Sequence, residues 1–263
     1  MELKKKQQIT AFEVCLYLFF GVLALLTLYP FYNVLIVSFS NTVTSVKYSP
    51  YLFPHVFDLT GYKAIIKDVY FFKSLGTTLL VTVLGTTLNM VFSVVAAYVL
   101  SRKRLIGRKV FLSAILFTML FSGGLIPTYL VICDLQLDNT IWSMILPTMI
   151  STYYLIIMKN YFASLPPSLE EAARIDGANA WHQLWRIQLP NIWLVFSFVM
   201  FDCIRGTLQC FDIPFIMTNG GPGYASSTFT LYTIDTAFKY NSFGMAATMA
   251  VAIMAIVILV YVF

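Results

Sequence analysis

A chain of 263 residues with 59% hydrophobic and only 11% charged side chains is excluded from the ordinary soluble class, in which about 25% of residues carry charge. Its formal charge of +5 comes from basic residues at the ends of apolar runs, with no basic stripe or aromatic RNA-binding motif beside them. Anchoring at a membrane face therefore explains the charge better than nucleic acid does.

Crossing the hydrocarbon takes roughly 20 mainly apolar residues, and six stretches qualify: 11–40, 74–100, 110–130, 141–161, 192–211 and 243–263. They are too long and too uniformly apolar for barrel strands, and backbone groups in lipid must be satisfied internally, so all six are predicted to be helices. The predicted fold class is an all-α membrane protein with six transmembrane helices, in one domain spanning residues 1–263. Lys4, Lys5 and Lys6 precede the first stretch, whose length exceeds a signal-peptide core of about 7–15 residues and which lacks a small-x-small cleavage site. It is read as the first span, kinked or ended near Pro30. Residues 41–73, with Pro50, Pro54 and Gly61, read as an outer loop carrying one surface helix around 62–69. Ser93 with Ala97 and Ala246 with Ala250 place small residues four apart, permitting close helix contact within the subunit or between subunits. Pro147 interrupts the fourth span, and Pro127 and Pro214 fall near the outer ends of the third and fifth. Such breaks survive only where a neighbour or cavity satisfies the freed backbone. Phe263 lies inside an apolar run, so the natural chain is expected to continue by a few residues.

Basic residues set the orientation. With the N-terminus inside, the inner side carries Lys4 to Lys6, Arg102, Lys103, Arg104, Arg108, Lys109, Lys159, Arg174 and Arg186, whereas the outer side has Lys47, Lys63, Lys67, Lys73 and Lys239. This asymmetry puts the N-terminus and the loop 162–190 in the cytoplasm. Cys15, Cys203 and Cys210 fall in spans and Cys133 in an outer loop; without a CxxC, and with His55 and His182 isolated, no metal is expected.

The loop itself contains EAARIDGANAWHQLWRIQLP over residues 171–190. Pro166-Pro167 ends the fourth span region, and Ser168 with Glu171 has the spacing of a capping box that would start a helix at Leu169. Gly177 can stop that helix, Asn179 can cap a second, and Pro190 leads into the fifth span. An interfacial hairpin resting Trp181, Leu184, Trp185 and Ile187 on headgroups would not require fixed Glu, Gly, Ile and Leu spacings. Those spacings, Glu171-Ala172-Ala173, three residues, Gly177, nine residues, Ile187-x-Leu189-Pro190, resemble the EAA loop of permease subunits of binding-protein-dependent ABC importers. The likeness extends over about 74–263, and residues 125–147 look like the carbohydrate-uptake, maltose-type branch.

That resemblance implies a type I importer permease fold whose cytoplasmic EAA helix docks in a cleft of an ATPase subunit. Glu171 would be a polar contact or cap, Gly177 the turn, and Ala172, Ala173 and Ala178 the close-packing ground, with Glu170, Asp176, Ile187, Leu189 and Pro190 completing the coupling segment. It also implies a bacterial cell membrane location, a second related permease, two ATPase subunits holding ATP and Mg, and an extracellular binding protein. The chain lacks Gly-Lys-Ser/Thr, the core of a phosphate loop, so no cofactor and no enzymatic activity are expected of it. The Asn219-Gly220-Gly221-Pro222-Gly223 run resembles the other permease type of such heterodimers, leaving open which member this chain is. Physically it is a turn-rich outer loop.

Asp202, Arg205, Gln209 and Asp212 in the fifth span are spaced three, four and three, which would align them on one helical face. A charge near the bilayer centre costs about 2.5 to 3.5 kcal/mol, against about 0.3 to 0.6 returned per large apolar residue, so this face should meet the bundle interior or water. It is a candidate solute path or, with Asp202 bonded to Arg205, a structural salt bridge. Carboxylates and amides suit sugar hydroxyls, and Arg205 can pair with the carboxylate of an acidic sugar. The expected function is half of a translocation path for an oligosaccharide, acidic ones included. Alternatives are another polar solute (peptide, phosphate ester, amino acid) and a membrane-embedded enzyme using Asp202 and Asp212, which the absence of a His or metal constellation disfavours.

The topology is directly testable. A Lys47→Cys substitution in a cysteine-free background should react with impermeant thiol reagent in intact cells; labelling only after the cells are opened would refute the N-inside arrangement.

Overall fold

The computed structural model describes residues 11–40, 53 and 56–262. Lys4, Lys5, Lys6, Lys47, Pro50, Pro54, His55 and Phe263, which enter the expectations above, lie outside them. Helices come in the order α1 (Ala11–Ser38), α2 (Thr60–Lys67), α3 (Val69–Ser101), α4 (Arg108–Leu120), α5 (Leu125–Asp134), α6 (Ile141–Ile145) and α7 (Thr152–Ser164). They continue with α8 (Pro167–Ile175), α9 (Ala180–His182), α10 (Leu189–Asn191), α11 (Trp193–Leu208), α12 (Asp212–Met217), α13 (Phe229–Ile234) and α14 (Phe243–Val262). The chain divides into two compact units, one of residues 1–67 with 233–255 and one of 68–232 with 256–263.

In the first unit, α1 runs through Pro30 to Ser38 rather than ending near the proline, because a missing N–H removes one bond and the turns on either side carry the helix on. The end of α1 meets α2 and α14 through polar contacts: the Ser38 and Tyr62 hydroxyls lie 3.0 Å apart, and Thr248 Oγ1 donates to the Ser38 carbonyl at 3.4 Å. Gly61 is required there by space, since a Cβ would lie 2.8 Å from Thr248 Oγ1.

The second unit is organised by α3, which starts at Val69 under an Asp68 cap accepting from the Tyr70 N–H at 2.9 Å. Its 33 residues reach about 50 Å, well beyond the roughly 30 Å hydrocarbon. It packs against α7 and α11 around Met90, Val94, Ala97, Met158, Phe162, Val195 and Val199. Ser93 and Ala97 are both fully buried, so that small pair serves packing within the subunit.

Among the described residues two helices, α1 and α3, are long and apolar enough to cross a membrane by themselves, and three bent pairs reach that length only when each is taken as one span. The expected third span is not one straight helix: α4 and α5 meet at 114° across Ser122-Gly123-Gly124, where Gly124 has φ +87°. In the fourth, the segment ending at Thr148 and α7 meet at 44°, and Asn89 Nδ2 donates to the Thr148 carbonyl at 2.9 Å. That bond supplies the outside partner a broken membrane helix needs. In the fifth region, the segment Ala180–Asn191 and α11 meet at 86°.

Asn89→Ala removes the donor to Thr148 and should lower the unfolding free energy by about 1 kcal/mol, read by denaturation in detergent micelles. A change near zero would mean that the broken span is supported by apolar packing.

Candidate functional site

Two groups of residues meet the expectations for function, and both lie in the second unit. The first is the hairpin made by α8, α9, the π-helical turn Gln183–Gln188 and α10. Its first helix begins at Pro167, with Pro166 as cap and no side-chain capping bond. The capping box expected of Ser168 and Glu171 is therefore not formed, and the start at Leu169 is corrected by two residues. The reason is that Pro167 is preset for the first helical position, where a missing N–H costs nothing.

The helix ends in a Schellman motif. Gly177 has φ +79°, its N–H donates to Arg174 O at 3.1 Å, and the Ala178 N–H donates to Ala173 O at 2.9 Å. An added Cβ at Gly177 would meet nothing within 4 Å, so glycine is favoured here by backbone conformation and not by crowding. Asn179 then caps the second leg, its Oδ1 accepting from the His182 N–H at 2.8 Å, and Gln183 Nε2 closes the turn on the Ala178 carbonyl at 2.8 Å. Ala173 and Leu189 are buried, Ala178 and Ile187 partly so, while Glu171, Ala172, Asp176, Gly177 and Pro190 are exposed. Ala173, Asp176, Gly177, His182 and Ile187 help to line a shallow hollow of about 360 Å³ on the turn.

Contacts that the sequence did not announce hold this hairpin to α3. Glu170 bridges Arg102 and Arg174, the latter at 3.1 Å. Arg102 lies 4.2 Å over the Tyr98 ring, and the Tyr98 hydroxyl donates to Ala180 O at 3.3 Å. Arg102 was visible as part of a basic cluster, but nothing local pairs it with a carboxylate 68 positions away.

The second group is only partly the stripe expected. Asp202 and Arg205 sit on α11 and are joined at 2.7 Å, and Tyr154 of α7 donates to the other Asp202 oxygen at 2.9 Å. However, α11 stops at Leu208, Gln209 caps it, and Asp212 opens α12. The single four-residue helical face is thereby corrected. Pro214 has no N–H for the Cys210 carbonyl and cannot continue the helix through that region. Arg205 and Asp202 keep side-chain exposures of 45% and 26%, so the pair is held yet open. Tyr154 carries no periodic signal in the sequence that would have singled it out.

The family described as "Binding-protein-dependent transport system inner membrane component" matches residues 79–263. Protein LplC of Bacillus subtilis is 41% identical over 179 residues, covering 68% of this chain and 61% of that protein. The polygalacturonan/rhamnogalacturonan transport system permease protein YtcP of the same organism is 42% identical, covering 68% and 63% respectively. The matched segment thus spans a little over three-fifths of these relatives' length. Among solved structures, a chain from a bacterial ABC transporter involved in import of the acidic polysaccharide alginate superposes with a TM-score of 0.88 at 26% identity, covering 99% of this chain and 97% of that one.

A double-mutant cycle on Arg102→Ala and Glu170→Ala should return a coupling of about 0.5 to 1 kcal/mol in thermal unfolding, as befits a partly exposed pair. Strict additivity would mean that α8 is held without this bridge.

Proposed function

Because the chain belongs to the binding-protein-dependent transport system inner membrane component family, we propose that it is a transmembrane subunit of an ATP-driven ABC importer, forming half of the path for a saccharide. The hairpin carries this reading: a turn fixed by backbone geometry at Gly177, with an exposed outer surface and an inner leg packed into the core, is shaped to receive a moving partner. In this reading the N-terminus and hairpin face the cytoplasm, two ATPase subunits holding ATP and Mg dock there, a second related permease completes the path, and an extracellular binding protein delivers the solute. The chain itself supplies no nucleotide chemistry. Glu171, Asp176 and the small surface of Ala172 and Ala178 form the contact, while Ala173, Ile187, Leu189 and Pro190 seat the hairpin.

The solute is proposed to be an oligosaccharide bearing carboxylates. Support comes from the Arg205 guanidinium, half exposed beside Asp202, and from the similar proteins named for polygalacturonan/rhamnogalacturonan and for alginate. Gln209 and Asp212, at the mouth of α11, are the hydrogen-bonding groups next in line for sugar hydroxyls.

Coupling is tested by two substitutions at Gly177. A left-handed backbone costs a side-chain-bearing residue about 1–2 kcal/mol, and asparagine tolerates it better than valine, so Gly177→Val should release or uncouple the ATPase while Gly177→Asn retains it. Normal ATPase retention and transport in Gly177→Val would refute the reading. For the solute, the double variant Asp202→Asn with Arg205→Gln removes both charges together and should cut transport of oligogalacturonide about tenfold with little effect on neutral oligosaccharides. An unchanged preference would leave that pair a structural lock.

A further inference from the structure

The C-terminal end of α3 and the inner side of the hairpin enclose a second, larger hollow of about 630 Å³, the size range of small-ligand sites. Four cations line it, Arg102, Lys103, Arg104 and Arg174, against two carboxylates, Glu170 and Glu171, leaving an excess of two positive charges. Glu170 already bridges Arg102 and Arg174. Lys103 and Arg104 have no ion-pair partner among the described residues. At the wall sits Gln188, only 6% exposed, whose side-chain amide makes no hydrogen bond among the described residues. This amide is open to an acceptor placed in the hollow.

The surroundings identify the acceptor. The basic run continues directly into Ile106, 92% exposed, and Val110, 72% exposed, and α4 buries none of its residues within the protein. A cationic hollow next to an uncovered apolar helix at the end of a long membrane span matches a phosphate carried on acyl chains, because the chains have α4 to lie against while the phosphate meets Lys103, Arg104 and the Gln188 amide. We propose that this hollow seats the phosphodiester headgroup of an anionic phospholipid from the leaflet at this end of α3. Such a lipid would hold the α3–α4 loop to the hairpin base and, by competing with Glu170 for Arg102, tune how firmly α8 is tied down. The hollow shares Glu171 and Ala178 with the proposed ATPase contact, so lipid retention is measured on the chain without its ATPase, where failure of the lipid site and failure of the coupling reading are distinguishable.

The test is native mass spectrometry of the full chain extracted from phosphatidylcholine nanodiscs containing phosphatidylglycerol. Phosphatidylglycerol should be retained in preference to phosphatidylcholine, and Lys103→Gln and Arg104→Gln should each reduce its occupancy about fivefold. Gln188→Met, which keeps the volume and removes the amide, should also lower occupancy, whereas Lys109→Gln, an exposed cation at the start of α4 and outside the hollow, should not. Equal loss in Lys109→Gln and Lys103→Gln would reduce the site to diffuse surface charge and overturn the proposal. Displacement of the lipid by inorganic phosphate would overturn the lipid source in favour of a soluble phosphate. Absence of any preference for phosphatidylglycerol would also overturn it.

Discussion

The close packing of α3 on α7 and α11 is the constraint on which the rest of the second unit depends. With Ser93 and Ala97 fully buried, the helix backbones approach through small side chains, the packing that serves where lipid offers little hydrophobic drive between helices. Fixing α3 in this way fixes what hangs from its two ends. At one end, Lys73 donates to Gly223 O at 3.2 Å, Thr77 to Ala225 O at 3.2 Å, and Thr78 Oγ1 accepts from the Phe229 N–H at 2.7 Å. At the other, Tyr98 and Arg102 grip the hairpin through Ala180 and Glu170. One unbroken helix of 33 residues therefore links the glycine-rich 219–223 loop with the hairpin, with no joint between them.

Three of the other apolar segments are broken where α3 is not. Pro147 shows why a break can persist: the carbonyl of the next residue, Thr148, accepts from the Asn89 amide of α3, so the interruption is supported from outside its own helix. The sharp turn at Gly123-Gly124 has a different cause, a backbone conformation at φ +87° that favours glycine. Both breaks were written locally, yet only the proline stood out in the sequence. The glycine pair was hidden inside a run whose length and apolarity matched one span, and periodicity cannot separate one long helix from two short ones on such a run.

Legibility was similarly uneven at the candidate sites. The hairpin could be read closely because its determinants are backbone rules that act within a few residues: a proline pair, a glycine at a left-handed position, an asparagine cap. Its attachment could not, because Arg102 to Glu170 and Tyr98 to Ala180 are contacts between distant segments whose meeting depends on the helix packing itself. The polar stripe failed for a related reason. Asp202 and Arg205 do share α11, but extrapolating the helical period to Gln209 and Asp212 ignored what Pro214 does to a helix attempting to pass Cys210. Tyr154, the partner of Asp202, became visible only when α7 was placed beside α11.

The hairpin's two legs are held by unequal means, and this inequality suits transmission. The second leg places Leu184 and Leu189 in the same buried cluster as Ile192, Val195 and Val199 of the following helix, and each large apolar side chain so buried contributes about 1.5 to 3 kcal/mol. The first leg buries only Ala173 and is otherwise tied by the Arg102–Glu170 bridge, a partly exposed ion pair worth about 1 kcal/mol or less. A load applied at the Gly177 turn would accordingly shift α8 against a weak polar tie while the second leg moves as one body with α11, which carries Asp202 and Arg205. Under the proposed coupling role, the compliant leg would accommodate the partner and the stiff leg would move the polar pair. Reversing those strengths, with α8 in the core and the second leg on the surface, would let the same load dissipate in a loose segment before reaching α11.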